Sequence, residues 1–239
     1  MLMQAMRSSV WIATVLVGSL ATTGLSQDVA VAAPAKTNVA CVGDSITAGG
    51  YPAALGRLLG DGYNVANFGS NGRAVTAKDT YPSLLEDAGK FAPQIVVLLL
   101  GTNNATPEAW KGWYTFLQDY KDLIEAYRSL SSKPNVYVLL PPPVFGAGGY
   151  DIDGKVLRTE VTPLIIKAAR ECKVETVDLY KPLADCAALF PDNVHPNSKG
   201  EDAIARQVCQ RLTGRPAPVP QQPLRVEAGT NDPGKEKSK

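Results

Sequence analysis

One serine, one aspartate and one histidine in this sequence have the types and spacing needed for nucleophilic catalysis. Ser45 follows a short apolar segment, and His195, the only histidine in the chain, comes three residues after Asp192. That spacing lets a carboxylate accept a hydrogen bond from one ring nitrogen while the other nitrogen faces a hydroxyl group. Any histidine-assisted catalysis must therefore use His195. The alternatives are a serine that caps a helix and a histidine that is merely exposed.

Two further segments carry glycine and amide groups directly after apolar stretches. The first is Asn67-Phe68-Gly69-Ser70-Asn71-Gly72, and the second is Gly101-Thr102-Asn103-Asn104. Glycine allows a backbone to approach a ligand closely, because it has no Cβ atom. Both segments are therefore candidates for the same site as Ser45 and His195.

The composition argues against metal-dependent and nucleic-acid-binding functions. With one histidine and no paired cysteines, the chain lacks the usual ligand spacing of a transition-metal site. Lys+Arg 24 nearly balance Asp+Glu 23, whereas nucleic-acid-binding proteins usually carry a basic excess. Cys41 lies in an apolar segment, and we expect it to be buried. Cys186 and Cys209 flank the His195 region and could form a disulfide, but the connectivity of Cys172 and the other cysteines stays open.

Apolar runs and amphipathic segments alternate five times along the chain. The predicted strands are residues 39–42, 63–68, 94–100, 136–140 and 174–179; the predicted helices are 51–59, 81–88, 113–130, 160–172 and 198–212, the last capped by Asn197. This alternation predicts a three-layer α/β/α sandwich around a five-stranded parallel sheet. Ligands bind beyond the carboxyl ends of the strands in such sheets, and the segments named above follow predicted strands or precede the last helix.

The two ends of the chain differ from this middle part. Residues 1–32 combine Arg7, the apolar stretch Val10–Leu20 and a small-residue site ending at Ala32, which is typical of a cleaved signal peptide. The alternative is an uncleaved membrane anchor. Residues 37–213 form the predicted catalytic domain, and residues 214–239 are rich in Pro, Gln, Gly and charge, which predicts a disordered tail. The sequence thus predicts an exported protein, periplasmic or extracellular, with no stable membrane span after cleavage.

Four motifs in this order resemble those of the SGNH (GDSL-like) hydrolase superfamily, and the similarity spans about residues 38–212. The family motifs are GDS, a glycine after the second strand, GxND and DxxHP; the chain has Gly43-Asp44-Ser45, Gly72, Gly101-Thr102-Asn103-Asn104 and Asp192-x-x-His195-Pro196. Asn104 stands where the family usually has aspartate. The resemblance implies a flavodoxin-like three-layer fold and an esterase that needs no cofactor.

The resemblance also implies a role for each motif residue. Ser45 would be the nucleophile, His195 the general base and Asp192 the group that orients the imidazole. The oxyanion hole would consist of the backbone N–H groups of Ser45 and Gly72 and the side-chain amide of Asn103. Gly69 competes with Gly72 for that role, and Asp44 is expected to hold the loop.

Several stretches are similar to bacterial sialate O-acetylesterases and related carbohydrate acetylesterases. This similarity favours the removal of a short acyl group, such as O-acetyl, from a saccharide. Candidate substrate contacts are Arg73, Trp110 and Tyr150, the last in a glycine-rich loop, residues 145–150, that could shape the pocket or act as a lid. One alternative is a lipid or thioester esterase of the same mechanism, and another is a non-catalytic saccharide-binding module.

Overall fold

The computed structural model describes residues 35–76, 82–111, 113–147 and 149–216. The predicted signal peptide, residues 1–32, and residues 217–239 of the predicted tail lie outside the described residues. Within the described ranges, no helix is long and apolar enough to cross a membrane.

Five parallel strands form one sheet, in the order β2-β1-β3-β4-β5. The strands are β1 (Thr37–Gly43), β2 (Tyr63–Gly69), β3 (Ile95–Leu99), β4 (Asn135–Leu140) and β5 (Glu175–Asp178). The predicted parallel α/β fold is therefore confirmed, with strand ends that differ from the predicted ones by one or two residues. From β1 the chain first adds β2 on one side and then β3 on the other, so the strand order changes direction between β1 and β3. Doubly wound sheets have a ligand-binding crevice at such a point.

Alternate residues of the central strands point to opposite faces of the sheet, so the domain has two apolar cores. One core contains Ala40, Val42, Val96, Leu98 and Val138. The other contains Val39, Cys41, Val97, Leu99 and Leu139. Because both faces are covered by helices, these strands are apolar along their whole length.

The helices cover the two faces and carry the connections. They are α1 (Ser45–Ala48), α2 (Tyr51–Leu59), α3 (Pro82–Phe91), α4 (Pro107–Trp110), α5 (Trp113–Arg128), α6 (Gly154–Val156), α7 (Thr162–Glu171), α8 (Tyr180–Leu183) and α9 (Ser198–Thr213). The first core packs against α3, α5 and α7, and the second packs against α2, α8 and α9. Asn197 caps α9 as predicted, since its side chain accepts from the N–H groups of Lys199 and Gly200.

The predicted helix over residues 160–172 begins earlier than its apolar pattern indicates. Asp153 caps α6 by accepting from the N–H groups of Lys155 and Val156, and a π-helical turn, Leu157–Val161, connects α6 to α7. The wider turn shifts the side-chain periodicity, so the helical pattern is recognisable only after it.

All four cysteines are free thiols, so the disulfide considered between Cys186 and Cys209 is absent. Cys209 is buried in the core between α9 and the sheet, whereas the Cys186 thiol faces the carbonyl of Pro182 at 3.9 Å. Cys41 is fully buried in β1, as expected. Burial raises the pKa of the Cys41 thiol to about 12, so it stays protonated.

Candidate active site

The fold brings the three side chains of the predicted triad into one hydrogen-bonded line. His195 Nε2 lies 2.8 Å from Ser45 Oγ, and His195 Nδ1 lies 2.7 Å from Asp192 Oδ2. Ser45 and His195 are 150 residues apart in the chain, and they meet because both loops lie beyond the carboxyl end of the sheet. An ionised carboxylate only accepts hydrogen bonds, so Nδ1 carries the proton and Nε2 is free to accept from the Ser45 hydroxyl.

Ser45 is held by the turn that connects β1 to α1. Asp44 caps α1, and its carboxylate accepts from the Ile46 N–H at 3.0 Å. The end of β2 packs directly against this turn: a Cβ atom on Gly69 would overlap the backbone of Thr47 and Ala48. Only glycine allows this approach, so the position of Ser45 depends on a backbone-to-backbone contact.

The carboxyl group of Asp44 is fully buried beside the nucleophile. Burial raises its pKa to about 7, against the opposing effects of the Ile46 hydrogen bond and of the nearby His195. A charged carboxylate without water costs free energy, and this group therefore holds its proton to a much higher pH than a surface aspartate does.

The Asp192 carboxylate organises the loop that carries the imidazole. Its Oδ1 accepts from the backbone N–H groups of Val194, at 3.0 Å, and His195, at 2.6 Å. Partial burial raises the pKa of Asp192, but the hydrogen bonds from His195 and Val194 outweigh that effect and lower the pKa to about 2. The carboxylate therefore remains ionised and fixes both the position and the tautomer of His195.

Tyr150 packs against the imidazole from the glycine-rich loop. Its ring meets the His195 ring edge-on at 5.0 Å between centroids, and its hydroxyl donates to Asp192 Oδ2 at 3.4 Å. The backbone N–H of Phe145 donates to the Asn193 carbonyl at 2.9 Å, which ties this loop to the loop of His195. The structure thus places Tyr150 beside the triad as well as at the rim of the cleft.

The three residues predicted to form the oxyanion hole, Ser45, Gly72 and Asn103, line one cleft together with His195. This cleft has a volume of about 620 Å³. Gly72 has a φ of 71°, a conformation that favours glycine, and Gly69 does not line the cleft. Asn103 Nδ2 donates to the Arg73 carbonyl at 3.0 Å, and an amide nitrogen has a second hydrogen for a ligand.

Asn104, where the family usually has aspartate, connects two of these loops. Its side chain donates to the Val75 carbonyl at 3.0 Å and accepts from the Val75 N–H at 2.8 Å. An ionised aspartate could not donate the first of these hydrogen bonds. Asn104 therefore holds the segment after Gly72 in place through both the oxygen and the nitrogen of its side-chain amide.

Two of the candidate substrate contacts lie away from the cleft. Trp110 Nε1 donates to Glu160 at 2.6 Å, and its ring packs edge-on against Phe116 in the first core. Arg73 contributes its carbonyl to the site, but its guanidinium Nε donates to Ser70 Oγ at 3.2 Å and the residue does not line the cleft. Neither residue lines the cleft that contains Ser45.

Glu201 lines the cleft although the sequence analysis did not identify it. Its carboxylate accepts from the Gly50 N–H at 2.6 Å and so connects α9 to the turn after Ser45. An acidic residue in the first turn of a helix is common, so the sequence offered no signal for this contact. The described residues contain no group of three or more His, Cys, Asp or Glu side chains arranged to bind a metal.

The chain matches a known protein family and a curated relative. A model described as the GDSL-like lipase/acylhydrolase family matches residues 41–203. An acetylxylan esterase from Xylanibacter ruminicola is 33% identical over 205 residues, which cover 73% of this chain and 42% of the relative. The chain therefore spans less than half of that protein's length.

Solved structures share the fold at lower identity. A lipase/acylhydrolase from Enterococcus faecalis superimposes with a TM-score of 0.64 at 19% identity, covering 77% of this chain and 100% of that one. A carbohydrate acetylesterase from Sinorhizobium meliloti gives a TM-score of 0.60 at 20% identity, covering 75% and 99%. At these identities the likeness concerns the three-layer architecture.

Proposed function

The chain belongs to the GDSL-like lipase/acylhydrolase family, as its motifs predicted, and on this premise we propose that it is a serine esterase that removes O-acetyl groups from carbohydrates. The observation that carries the proposal is the hydrogen-bonded series Ser45–His195–Asp192. Ser45 and His195 line a cleft that Gly72 and Asn103 also line. The name of the Xylanibacter relative supports an acetyl group on a saccharide as the substrate.

In the first half of the reaction, Ser45 Oγ attacks the ester carbonyl carbon while His195 Nε2 takes the hydroxyl proton. The resulting oxyanion accepts hydrogen bonds from the N–H groups of Ser45 and Gly72 and from the Asn103 amide. The tetrahedral intermediate then expels the sugar alkoxide, which receives the proton from His195. The ionised Asp192 stabilises the imidazolium that exists between these two proton transfers.

In the second half, a water molecule hydrolyses the acetyl-Ser45 ester. His195 accepts a proton from the water as its oxygen attacks the acetyl carbonyl, and the same three donors hold the second oxyanion. Collapse of the intermediate releases acetate, and Ser45 regains its proton from His195. The net reaction consumes one ester and one water and yields one alcohol and one acetic acid.

Export to the periplasm or the extracellular space is part of the proposal. It rests on the sequence pattern of residues 1–32, in which a charged start, an apolar stretch and a small-residue site follow one another. Such a location would give the enzyme access to glycans outside the cell.

The test is acetate release by the purified protein from acetylated xylan, O-acetylated sialic acid and p-nitrophenyl acetate. We expect acetate from at least one saccharide, and a loss of about 10⁴-fold or more in kcat/KM for Ser45→Ala, because the nucleophile is absent. A fluorophosphonate probe should label the wild-type protein at Ser45 and leave Ser45→Ala unlabelled. Equal turnover by the two proteins would refute the proposal, and labelling without saccharide turnover would limit it to esters of another class.

A further inference from the structure

A second cavity lies directly beside the catalytic cleft. It has a volume of about 810 Å³ and shares two lining residues, Tyr150 and Ile152, with the cleft. Ligand-binding cavities generally have volumes of about 300 to 1,000 Å³, and both cavities fall in that range. The triad accounts for the cleft alone, so the second cavity has no part in the chemistry derived above.

A third, mainly apolar recess of about 390 Å³ continues the same surface as far as Trp110. It shares Thr106, Pro107 and Asp153 with the second cavity. The three recesses therefore adjoin one another, and they form a groove from Ser45, past Tyr150, to the indole of Trp110. A groove much longer than an acetyl group indicates a ligand that extends far beyond the reacting bond.

The side chains of this groove indicate the chemistry of the ligand. Tyr150, whose exposed fraction is 67%, stands where the cleft meets the second cavity and presents a flat aromatic surface. Three acidic residues, Glu108, Asp151 and Asp153, and one basic residue, Lys155, line the second cavity. One carboxylate oxygen of Asp153 already accepts hydrogen bonds as the cap of α6, which leaves its other oxygen for a ligand. Carboxylates accept hydrogen bonds from hydroxyl groups, and aromatic faces pack against the apolar faces of rings.

The balance of charge decides between neutral and anionic sugars. Lys111 pairs with Glu108 at 2.6 Å, which leaves Asp151 and Asp153 against Lys155 in the two recesses beyond the cleft, an excess of one negative charge. A negatively charged ligand would meet like charges there, and this repulsion lowers affinity. The groove is thus suited to a neutral, hydroxyl-rich chain and unsuited to an acidic one.

We propose that the second cavity binds the neighbouring sugar residues of a neutral oligosaccharide whose acetylated residue lies in the catalytic cleft. This inference rests on the proposed function and narrows its substrate from acetylated saccharides in general to neutral chains of several sugars. Binding energy from sugars that do not react orients the one that does, so longer chains are turned over more efficiently.

The first experiment measures kcat/KM for O-acetylated xylo-oligosaccharides of one to four sugars, with p-nitrophenyl acetate as a substrate that reaches only the cleft. We expect kcat/KM to rise about tenfold from one sugar to four, equivalent to about 1.4 kcal/mol of added binding energy. O-acetylated sialic acid and p-nitrophenyl dodecanoate serve as anionic and long-acyl competitors. A preference for either of them over the tetrasaccharide overturns the inference.

The second experiment blocks the cavity without touching the triad. Ala147 is exposed and lines the second cavity, so Ala147→Trp should remove the tenfold gain on the tetrasaccharide and leave the kinetics on p-nitrophenyl acetate unchanged. Ala53→Trp, on an exposed position of α2, is the matched control and should alter neither activity. Lys155→Ala is a smaller change in the same cavity and should reduce the gain in part.

Failure of this inference can be told apart from failure of the proposed function. If p-nitrophenyl acetate is hydrolysed in a Ser45-dependent way but kcat/KM does not depend on the number of sugars, the inference is refuted and the proposed esterase function still holds. A calorimetric titration with unacetylated xylotetraose tests the cavity without turnover: we expect binding to the wild-type protein and its loss in Ala147→Trp. Equal binding by both proteins places the sugar chain elsewhere.

Discussion

The two sides of the active site are built in different ways. The side that carries Ser45 is tightly packed at the carboxyl end of the sheet, against the end of β2. Its side chains are only 0 to 1% exposed at Asp44, Ile46 and Thr47. On the base side, the side chains of Asp192 and His195 are 38% and 30% exposed, and hydrogen bonds to one carboxylate hold them in place. Packing positions the hydroxyl, whereas a local hydrogen-bond network positions the imidazole.

This difference indicates which property each side controls. A close-packed turn cannot change its volume without moving the sheet, so substitutions there should alter the free energy of unfolding. A half-exposed loop can lose a hydrogen bond without unfolding the domain, so substitutions there should alter turnover. Three substitutions test this division, and a fourth, Asn103→Ala, tests the proposed oxyanion hole.

The largest effect is expected from Asp192→Asn on the base side. The amide cannot enforce the tautomer that leaves Nε2 free, and kcat should fall by about 10⁴-fold. The melting temperature should fall only modestly, because the amide oxygen can still accept from the Val194 and His195 N–H groups although the carboxylate charge is lost. Kinetics on p-nitrophenyl acetate and thermal unfolding measure the two quantities. Asp185→Asn makes the same chemical change on an exposed residue and should alter neither. A large loss of stability alongside the loss of activity would contradict the division.

The next effect is expected from Asn103→Ala, which removes one proposed oxyanion donor from the 3₁₀ turn after β3. We expect kcat to fall by roughly 10²- to 10³-fold, while KM changes little, because the donor acts on charge that develops in the transition state. Steady-state kinetics give both constants. Asn135→Ala is the control, because Asn135 is an exposed residue at the start of β4, at the amino end of the sheet and away from the cleft. A rise in KM alone would assign Asn103 to substrate binding.

The third prediction concerns the buried carboxylate of the nucleophile side. The pKa of Asp44 is about 7 in the folded protein and near 3.8 in the unfolded chain, so the folded state holds the extra proton between these values. Stability therefore falls as pH rises from about 4 to 7, with a slope of at most about 1.4 kcal/mol per pH unit from this group. Asp44→Asn should remove that slope and be more stable than the wild type at pH 8.

Urea unfolding at pH 5 and pH 8 measures the change for Asp44→Asn. Asp61→Asn, on an exposed residue, should follow the wild-type dependence at both values. Parallel curves for wild type and Asp44→Asn would mean that Asp44 is ionised in the folded protein throughout this range.

The smallest effect is expected from Gly69→Ala. The added methyl group would overlap the backbone of Thr47 and Ala48, and relief of such overpacking costs about 1–3 kcal/mol of stability. Gly62→Ala has open space around the new methyl group and is the control. Chemical denaturation compares the two variants. Equal stability of the two variants would show that the turn of Ser45 adjusts to the extra methyl group and is not tightly packed.

Most of the fold and the residues of the candidate triad could be predicted from the sequence. The strands were predicted because burial on both faces leaves a continuous apolar run, as in Ile95–Leu99. The start of the 154–171 helical region was missed because a π turn interrupts its periodicity, although Asp153 signals a helix start. The contact of Glu201 with Gly50 was missed because the two residues are 151 positions apart and neither type is unusual at its place.

Substrate contacts were the least predictable part of the site. Tyr150 is an aromatic residue in a loop at the predicted end of the sheet, and it does line the cleft. Trp110 also follows a strand at that end, yet its indole contacts Phe116 and Glu160 and does not line the cleft. A loop position indicates the end of the sheet at which a side chain lies, and its rotamer depends on neighbours from distant parts of the chain.

By itself, the sequence determined the parallel α/β architecture, the order of the four motifs and the identity of the sole imidazole. These features follow from periodicity and composition, which report local burial and available chemistry. Only the tertiary structure decided that Tyr150 packs on His195, that Asn104 holds Val75 and that a second cavity adjoins the cleft. The physical reason is that such contacts join loops far apart in the chain, and their geometry is set by how the whole domain packs.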